Sequence, residues 1–323
     1  MTRAMPSFRK LSLLSLVATT VLVAVGGLVR ATESGLGCGP DWPVCNGKVI
    51  PLFSHYTVAI EFSHRAIAGV VVVLLALLLV TARREHRERP RLRRAAAAAF
   101  GLVLFQAALG AVVVKLHLEA ESVVLHLGTA MLLLGLLVYL YVAASAAEGQ
   151  VPPADGRASG RAALAAASTF VLLLVGSWVT GREAGYVFSD WPLMDGRLIP
   201  DLALEAEALH FVHRLLAALV GVVVVVAMLP VIKGRERAPA AARLATAAVA
   251  LYGVQVAVGA LNIWTKFQAS VAANSASVAL HLALGALIWA ALVGVAAVTR
   301  PQLAADVEPR RASAAGAPAE ASR

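Results

Sequence analysis

Four histidines occur at matching places in the two halves of the sequence. Two of them follow a Trp-Pro tryptophan by 22 residues and precede an arginine, and the other two lie within Leu-His-Leu triplets. The first two are His64 and His213, and the others are His126 and His281. The imidazole ring is a ligand for zinc, copper and iron. Their repetition therefore predicts two similar metal-binding sites, one in each half.

The elements that carry these histidines are long apolar segments. Hydrophobic residues make up 59% of the 323 and charged residues only 15%, which leaves too little polar surface for a water-soluble globule. Each segment is near the roughly 20 residues that a helix needs to cross the hydrocarbon of a bilayer. Eight segments occur, at 11–29, 58–80, 95–114, 123–144, 162–179, 208–232, 244–263 and 278–298. They predict an all-α membrane protein with eight transmembrane helices, and we interpret the first as a helix because no cleavage pattern of a signal peptide follows it.

Basic residues are divided unevenly between alternate loops. Twenty Lys and Arg lie in the N-terminal segment, every second loop and the C-terminal tail, whereas the remaining loops hold six. Because positively charged loops stay in the cytoplasm, both termini are predicted to be cytoplasmic. The net charge of +9 is then explained by membrane topology, and no nucleic-acid partner is expected. Residues 301–323, rich in Ala, Pro and Arg, are predicted to form a disordered cytoplasmic tail.

The sequence contains an internal duplication. Gly27 precedes Trp42 by 15 residues, as Gly176 precedes Trp191, and Gln-x-x-x-Gly occurs in the third helix of each half. The chain is predicted to consist of a first four-helix repeat (1–150), a second (151–300) and the tail (301–323). Four is an even number, so both repeats enter the membrane in the same direction. They are expected to form two tandem parallel four-helix bundles.

The four histidines are predicted to lie at one depth. Each is about three to six residues into an even-numbered helix, or roughly 5 to 9 Å below the outer membrane boundary. A single intramembrane histidine can serve as a hydrogen-bonding group between helices, but four at matched depth favour a cofactor. One histidine from each of two facing helices leaves room for a flat macrocycle, whereas zinc or copper requires further ligands. We therefore predict two haem sites, His64 with His126 and His213 with His281.

Other polar residues near these sites have two interpretations each. Arg65 and Arg214, next to ligands, either bind haem propionates or extend to the headgroups and pair with an acid. His210, one turn before His213, could contact the second cofactor without ligating it. His55, His86 and His117 are expected in loops, where solvation is the simpler interpretation.

Glu61 breaks the symmetry of the repeat. It occupies the position three before His64, where the second half has His210. Residues i and i+3 share a helix face, so Glu61 can accept a proton or stabilise a developing cation beside the first cofactor. The alternative is an ion pair with Arg65 at i+4. The asymmetry suggests chemistry in the first bundle and a supporting cofactor in the second.

The only two cysteines, Cys38 and Cys45, lie in the first outer loop. The predicted topology places this loop on the oxidising side of the membrane, where a disulfide is expected. The bridge is either structural or a redox participant that docks an electron acceptor.

Taken together, these motifs resemble the haem A synthase family of bacterial cell membranes, in the type with a cysteine pair in the first extracytoplasmic loop. The resemblance rests on TESGLGCGPDWPVCNGKVIP, IEFSHR, LHLG, VHR and LHL across nearly the whole membrane region. It implies oxidation of a ring methyl of haem O to the formyl group of haem A, for use in terminal oxidases. The resemblance also implies that Glu61, His64 and His126 form the substrate site, and that His213 and His281 hold haem b. Some bacterial relatives have a second cysteine pair, which this chain lacks.

The expected partners are haem O, delivered by the enzyme that makes it, an unidentified electron acceptor and the lipid bilayer, with a homo-oligomer as an option. The main competing hypothesis is a dihaem b-type electron carrier acting with quinone. It requires both bundles to be equivalent relays. A more distant hypothesis is a transporter with parallel repeats whose histidines bind protons or a metal.

Overall fold

The computed structural model describes residues 7–40, 42–147 and 154–301. Within these residues the protein has eight long helices, each with the length and apolar composition to cross a membrane. The helices are α1 (Phe8–Ala31), α2 (Tyr56–Glu85), α3 (Pro90–Lys115), α4 (Ala120–Ala147), α5 (Gly156–Gly181), α6 (Glu205–Lys233), α7 (Pro239–Gln268) and α8 (Val271–Val298). The predicted eight-helix, all-α fold is confirmed. Residues 302–323, most of the predicted tail, lie outside the described residues.

The helices extend beyond the apolar segments. α2 continues through Arg83 and Arg84 to Glu85, and α3 begins at Pro90, which occupies the first turn where its missing N–H is tolerated. Hydropathy detects only the part of a helix that lies in hydrocarbon, whereas the backbone hydrogen bonds continue into the interface. The sequence therefore indicated the number of helices correctly but underestimated their lengths.

Contacts between helices follow the same ring in each half. α1 packs against α2 and α4, and α3 packs against α2 and α4. In the second half α5 packs against α6 and α8, and α7 packs against the same two helices. These are the neighbours that a four-helix bundle requires in each repeat. The orientation of the helices in a membrane stays a prediction.

The halves meet along α1, α4, α5 and α8. Gly135 of α4 provides room for the indole of Trp289, since an added Cβ would lie 2.5 Å from the ring. At one end of the helices the Arg30 guanidinium donates to the Thr180 carbonyl at 2.8 Å, and the Ser275 hydroxyl donates to the Ala31 carbonyl at 2.9 Å. These bonds cross from one half to the other and hold the two sites in a fixed relation.

Two long loops, residues 32–55 and 182–204, repeat the same backbone features. Each begins with a short 3-10 turn, at Ser34–Leu36 and Ala184–Tyr186, followed by a cis Trp-Pro peptide bond and a tight turn. The two 3-10 turns are 150 residues apart, whereas the cis bonds are 149 apart. The first long loop therefore has one extra residue before Trp42. The structural partner of Gly176 is consequently Gly26, which corrects the pairing of Gly176 with Gly27 made from the sequence.

Candidate haem sites

The four histidines lie in α2, α4, α6 and α8, and each is half-buried. Their Nδ1 atoms are buried and make no hydrogen bond with the described residues. His64 and His126 are close enough to interact electrostatically, and so are His213 and His281. The structure therefore brings together the two pairs that the sequence predicts. Two imidazole rings that lie close together, with no side-chain hydrogen bond to the described residues, fit the donor set of a bis-histidine haem.

The glutamine of each Gln-x-x-x-Gly motif is in a different state. In the first half the Gln106 side chain bridges α3 and α4, because its amide donates to the His126 carbonyl at 2.8 Å and its oxygen accepts from Thr129. In the second half the side-chain oxygen of Gln255 is buried without a hydrogen-bond partner among the described residues. The glutamine amide is thus hydrogen-bonded at both its nitrogen and its oxygen in the first half. In the second half its oxygen is an acceptor without a donor among the described residues.

Glu61 is 3% exposed and accepts hydrogen bonds from two residues. Its Oε1 accepts from Arg65 Nη2 at 2.5 Å and Nε at 3.1 Å, and its Oε2 accepts from the backbone N–H of Cys38 at 2.6 Å. Arg65 also donates to the carbonyl of Val44 at 2.8 Å. A buried carboxylate requires such partners because desolvation otherwise disfavours its charge. The ion pair that the sequence offered as an alternative is present, and it joins the first long loop to α2.

The second half keeps the arginine but changes its partner. Arg214 donates from Nε to His210 Nε2 at 3.0 Å, and from Nη1 to the carbonyls of Leu193 and Asp190 at 2.9 and 3.0 Å. Its Nη2 is buried and has no hydrogen-bond partner among the described residues. His210 Nε2 therefore accepts from Arg214, and its Nδ1 is buried without a hydrogen-bond partner among the described residues. That His210 does not ligate the cofactor stays a prediction.

Cys38 and Cys45 form a disulfide, as predicted, and both are buried. The equivalent positions of the second long loop hold Phe188 and Met194, which are 1% and 5% exposed. The Phe188 ring lies 5.5 Å from the His210 ring and 5.8 Å from the Arg214 guanidinium carbon. Apolar packing thus closes the second long loop where a covalent bond closes the first.

Asp190 organises the tight turn of the second long loop rather than acting only as a solvated acid. Its carboxylate accepts from the backbone N–H groups of Asp195 and Gly196 at 2.8 and 2.9 Å. The hydrogen bond from Gly196 is the largest of the contacts that lower the pKa of Asp190 below its usual value, and burial opposes them. Tyr186 of the same loop donates to Asn274 at 3.0 Å, and burial raises its pKa.

The remaining histidines lie away from both pairs. His55 immediately precedes α2, His86 follows α2 and packs its ring against Phe8, and His117 follows α3. Their placement in loops is as expected.

A family model described as cytochrome oxidase assembly protein, COX15-CtaA, matches residues 9–56 and 52–293. The chain belongs to the COX15-CtaA family. The match spans both predicted repeats and all four paired histidines. It confirms the family resemblance that the motifs indicated.

Curated relatives in this family carry the name heme A synthase. One from Symbiobacterium thermophilum is 30% identical over 266 residues, which cover 80% of this chain and 86% of the relative. Another from Shouchella clausii is 30% identical over 229 residues, covering 70% and 76%. A third from Exiguobacterium sibiricum is 31% identical over 216 residues, covering 65% and 71%. Together with its eight apolar helices, these relatives make the chain a multi-pass membrane protein of the bacterial type.

Proposed function

We propose that this COX15-CtaA family member is a haem A synthase, an oxidoreductase that converts a ring methyl of haem O to the formyl group of haem A. The proposal rests on one observation above all. Two similar histidine pairs differ in the residue one turn before the first histidine, which is a buried carboxylate in one half and a histidine in the other. An electron carrier with two equivalent relays has no need of this difference.

In this proposal the first half binds the substrate. His64 and His126 ligate the iron of haem O, and Glu61 lies one helical turn from His64 on the same face of α2. Gln106 fixes the backbone of α4 at His126, so the second ligand is held by a polar contact as well as by packing. These residues bind and orient the substrate before oxidation.

The contacts of Glu61 favour one of its two suggested roles. Its three donors, two from Arg65 and the N–H of Cys38, occupy three of the roughly four lone-pair sites of the carboxylate and hold it in one orientation. Electrostatic stabilisation requires a charged group in a fixed position, which these contacts provide. We therefore infer that Glu61 acts mainly as a fixed negative charge that stabilises positive charge developing at the methyl carbon.

The second half would hold haem b through His213 and His281. Haem b supplies one-electron transfer at such a site, which suits a reaction that must pass electrons to an acceptor. Arg214 fits one propionate, because its buried Nη2 is a donor without a partner and a carboxylate would supply the acceptor. In the first half the corresponding arginine is engaged by Glu61, so we expect a different propionate contact there.

The test is to purify the protein after co-expression with a source of haem O and to identify its haems by acid extraction and chromatography. We expect haem b together with haem A or a partly oxidised haem O. Haem b alone, with unchanged haem O supplied, would support the dihaem electron carrier instead. Absence of any haem from correctly assembled protein would reject both.

A further inference from the structure

Each of the four paired histidines packs against a glycine on the preceding helix. An ideal Cβ built on the glycine would lie 3.2 Å from Cε1 of His64, 3.3 Å from that of His126, 3.0 Å from that of His213 and 3.2 Å from that of His281. The glycines are Gly26 in α1, Gly110 in α3, Gly176 in α5 and Gly259 in α7. A contact at this distance is tighter than a packed Cβ normally makes, so an alanine would force the ring to move.

This contact is maintained although the sequence spacing changes. Gly26 and Gly176 precede their histidines by 38 and 37 residues, whereas Gly110 and Gly259 precede theirs by 16 and 22. The extra residues between Gly259 and His281 are shared by two helices: α7 continues nine residues beyond its glycine where α3 continues five, and His281 lies ten residues after the start of α8 where His126 lies six after the start of α4. The same ring-on-glycine packing therefore arises from different chain lengths.

The packing also distinguishes the two nitrogens of each ring. Nδ1 is buried in all four histidines. In His64, His213 and His281 an added Cβ would lie nearer to Nδ1 than to Nε2. Nε2 is therefore the ring nitrogen farther from the glycine helix, and it is the nitrogen placed to ligate a metal.

We propose that these four glycines are positioning residues, each of which lets one imidazole lie against helix backbone so that Nε2 is directed at the haem iron. The inference rests on the proposed function, because it requires haem at both histidine pairs. Cε1 lies between the two ring nitrogens, so a Cβ that displaces Cε1 by a few tenths of an ångström displaces Nε2 by a similar amount. Metal–ligand distances tolerate only about 0.2 Å.

The chain offers matched controls in three of the four helices. Gly101 in α3, Gly160 in α5 and Gly253 in α7 have no heavy atom within 4 Å of an added Cβ. Alanine at these positions should be neutral or stabilising, since it raises helix propensity without a clash. Comparing each variant with the control in its own helix separates the effect of contact with the ring from the effect of helix propensity. The pairs are Gly110→Ala with Gly101→Ala, Gly176→Ala with Gly160→Ala, and Gly259→Ala with Gly253→Ala.

The experiment measures haem content by type, together with the electron paramagnetic resonance of the low-spin iron, in purified full-length protein. We expect Gly110→Ala to weaken retention of the substrate haem by about tenfold, and Gly176→Ala and Gly259→Ala to weaken retention of haem b by a similar factor. Each should shift the resonance of its own haem only. The three control variants should match the wild type.

The haem of the other half excludes a general effect on folding. If Gly110 acts through His126, then Gly110→Ala should lower the substrate haem and leave haem b at the wild-type level. Equal losses in Gly110→Ala and Gly101→Ala would overturn the inference, and so would haem content and resonance equal to the wild type in Gly110→Ala, Gly176→Ala and Gly259→Ala. A variant that misfolds is recognised because it loses the haem of both halves. The inference is then tested with the other glycine of that half, Gly26 in place of Gly110, or Gly176 and Gly259 in place of each other. Wild-type protein without haem would reject the proposed function and the inference with it, whereas wild-type protein with both haems and unaffected glycine variants would reject the inference alone.

Discussion

The two long loops contact their helices through arginines at equivalent positions, Arg65 and Arg214. The residues that lie beside the two candidate sites nevertheless differ. In the first half Arg65 holds Glu61 and the carbonyl of Val44; in the second Arg214 holds His210 and the carbonyl of Leu193. The contact from arginine to loop carbonyl is the common scaffold. The residue four positions before the arginine is the variable part, and it is this part that distinguishes a proposed reaction site from a proposed relay.

A second difference concerns what stiffens each loop. The disulfide holds Cys38 where its backbone N–H donates to Glu61, so the covalent bond supports the carboxylate directly. The second long loop needs no donor to a carboxylate, and buried Phe188 and Met194 take the equivalent places. The covalent bond is thus found in the half where the geometry of a charged group depends on it.

The largest effect should come from removing one ligand at a time. His126→Ala is expected to eliminate the substrate haem and leave haem b, whereas His281→Ala should do the reverse, because the two pairs lie in separate halves. Extraction and chromatographic quantification of each haem would measure this. Loss of both haems from both variants, in protein that remains folded, would show that the halves are not independent.

Replacing Glu61 tests the asymmetry itself. Glu61→Gln should lower haem A formation by about 100-fold, because a neutral amide cannot stabilise a cation, while haem content stays unchanged. Glu61→His would reproduce the residue of the second half and should be equally inactive. Glu121→Gln, which removes an exposed carboxylate paired with Arg182 on the surface, is the control and should retain product formation. Normal haem A output from Glu61→Gln would refute the assigned role.

Breaking the disulfide should destabilise only the first half. Cys38→Ser combined with Cys45→Ser is expected to lower the free energy of unfolding by about 2.5 kcal/mol, from the lost constraint on a short loop, and to reduce haem A formation by loosening Glu61. In the second long loop, Phe188→Ala should cost about 3 kcal/mol by leaving a cavity. Thermal unfolding with and without reductant is the measurement. Reductant should lower the Tm of the wild type and of Phe188→Ala but not that of the double serine variant.

The smallest effect should be the pH response of the second long loop. The folded pKa of Asp190 is lowered, so its contribution to stability is fully present above the unfolded value of 3.8 and is lost as pH falls through the folded pKa. Because this side chain is close to solvent, we expect no more than about 1 kcal/mol. Asp190→Asn should flatten the decline of Tm below about pH 4 without altering haem content. An unchanged decline would show that other carboxylates dominate.

Much of the candidate site could be predicted from residue types and spacing. A carboxylate and four histidines within apolar segments are conspicuous because ionisable groups are costly in a membrane, and the duplication identifies which histidines belong together. The contacts of Glu61 were less accessible. Spacing alone allowed it to face a cofactor or to pair with Arg65, and the N–H of Cys38, 23 residues earlier, is not recognisable as a partner from any pattern.

The sequence by itself therefore determined the number of helices, the histidine pairs, the disulfide and the asymmetry between the halves. These depend on hydropathy, residue chemistry and local period, which are properties of the chain. Only the tertiary structure decided which glycine lies against which histidine, that Gly26 rather than Gly27 corresponds to Gly176, and that Arg65 and Arg214 hold loop carbonyls. Such contacts depend on how helices and loops distant in sequence pack to within a few ångströms, and spacing along the chain does not specify that distance.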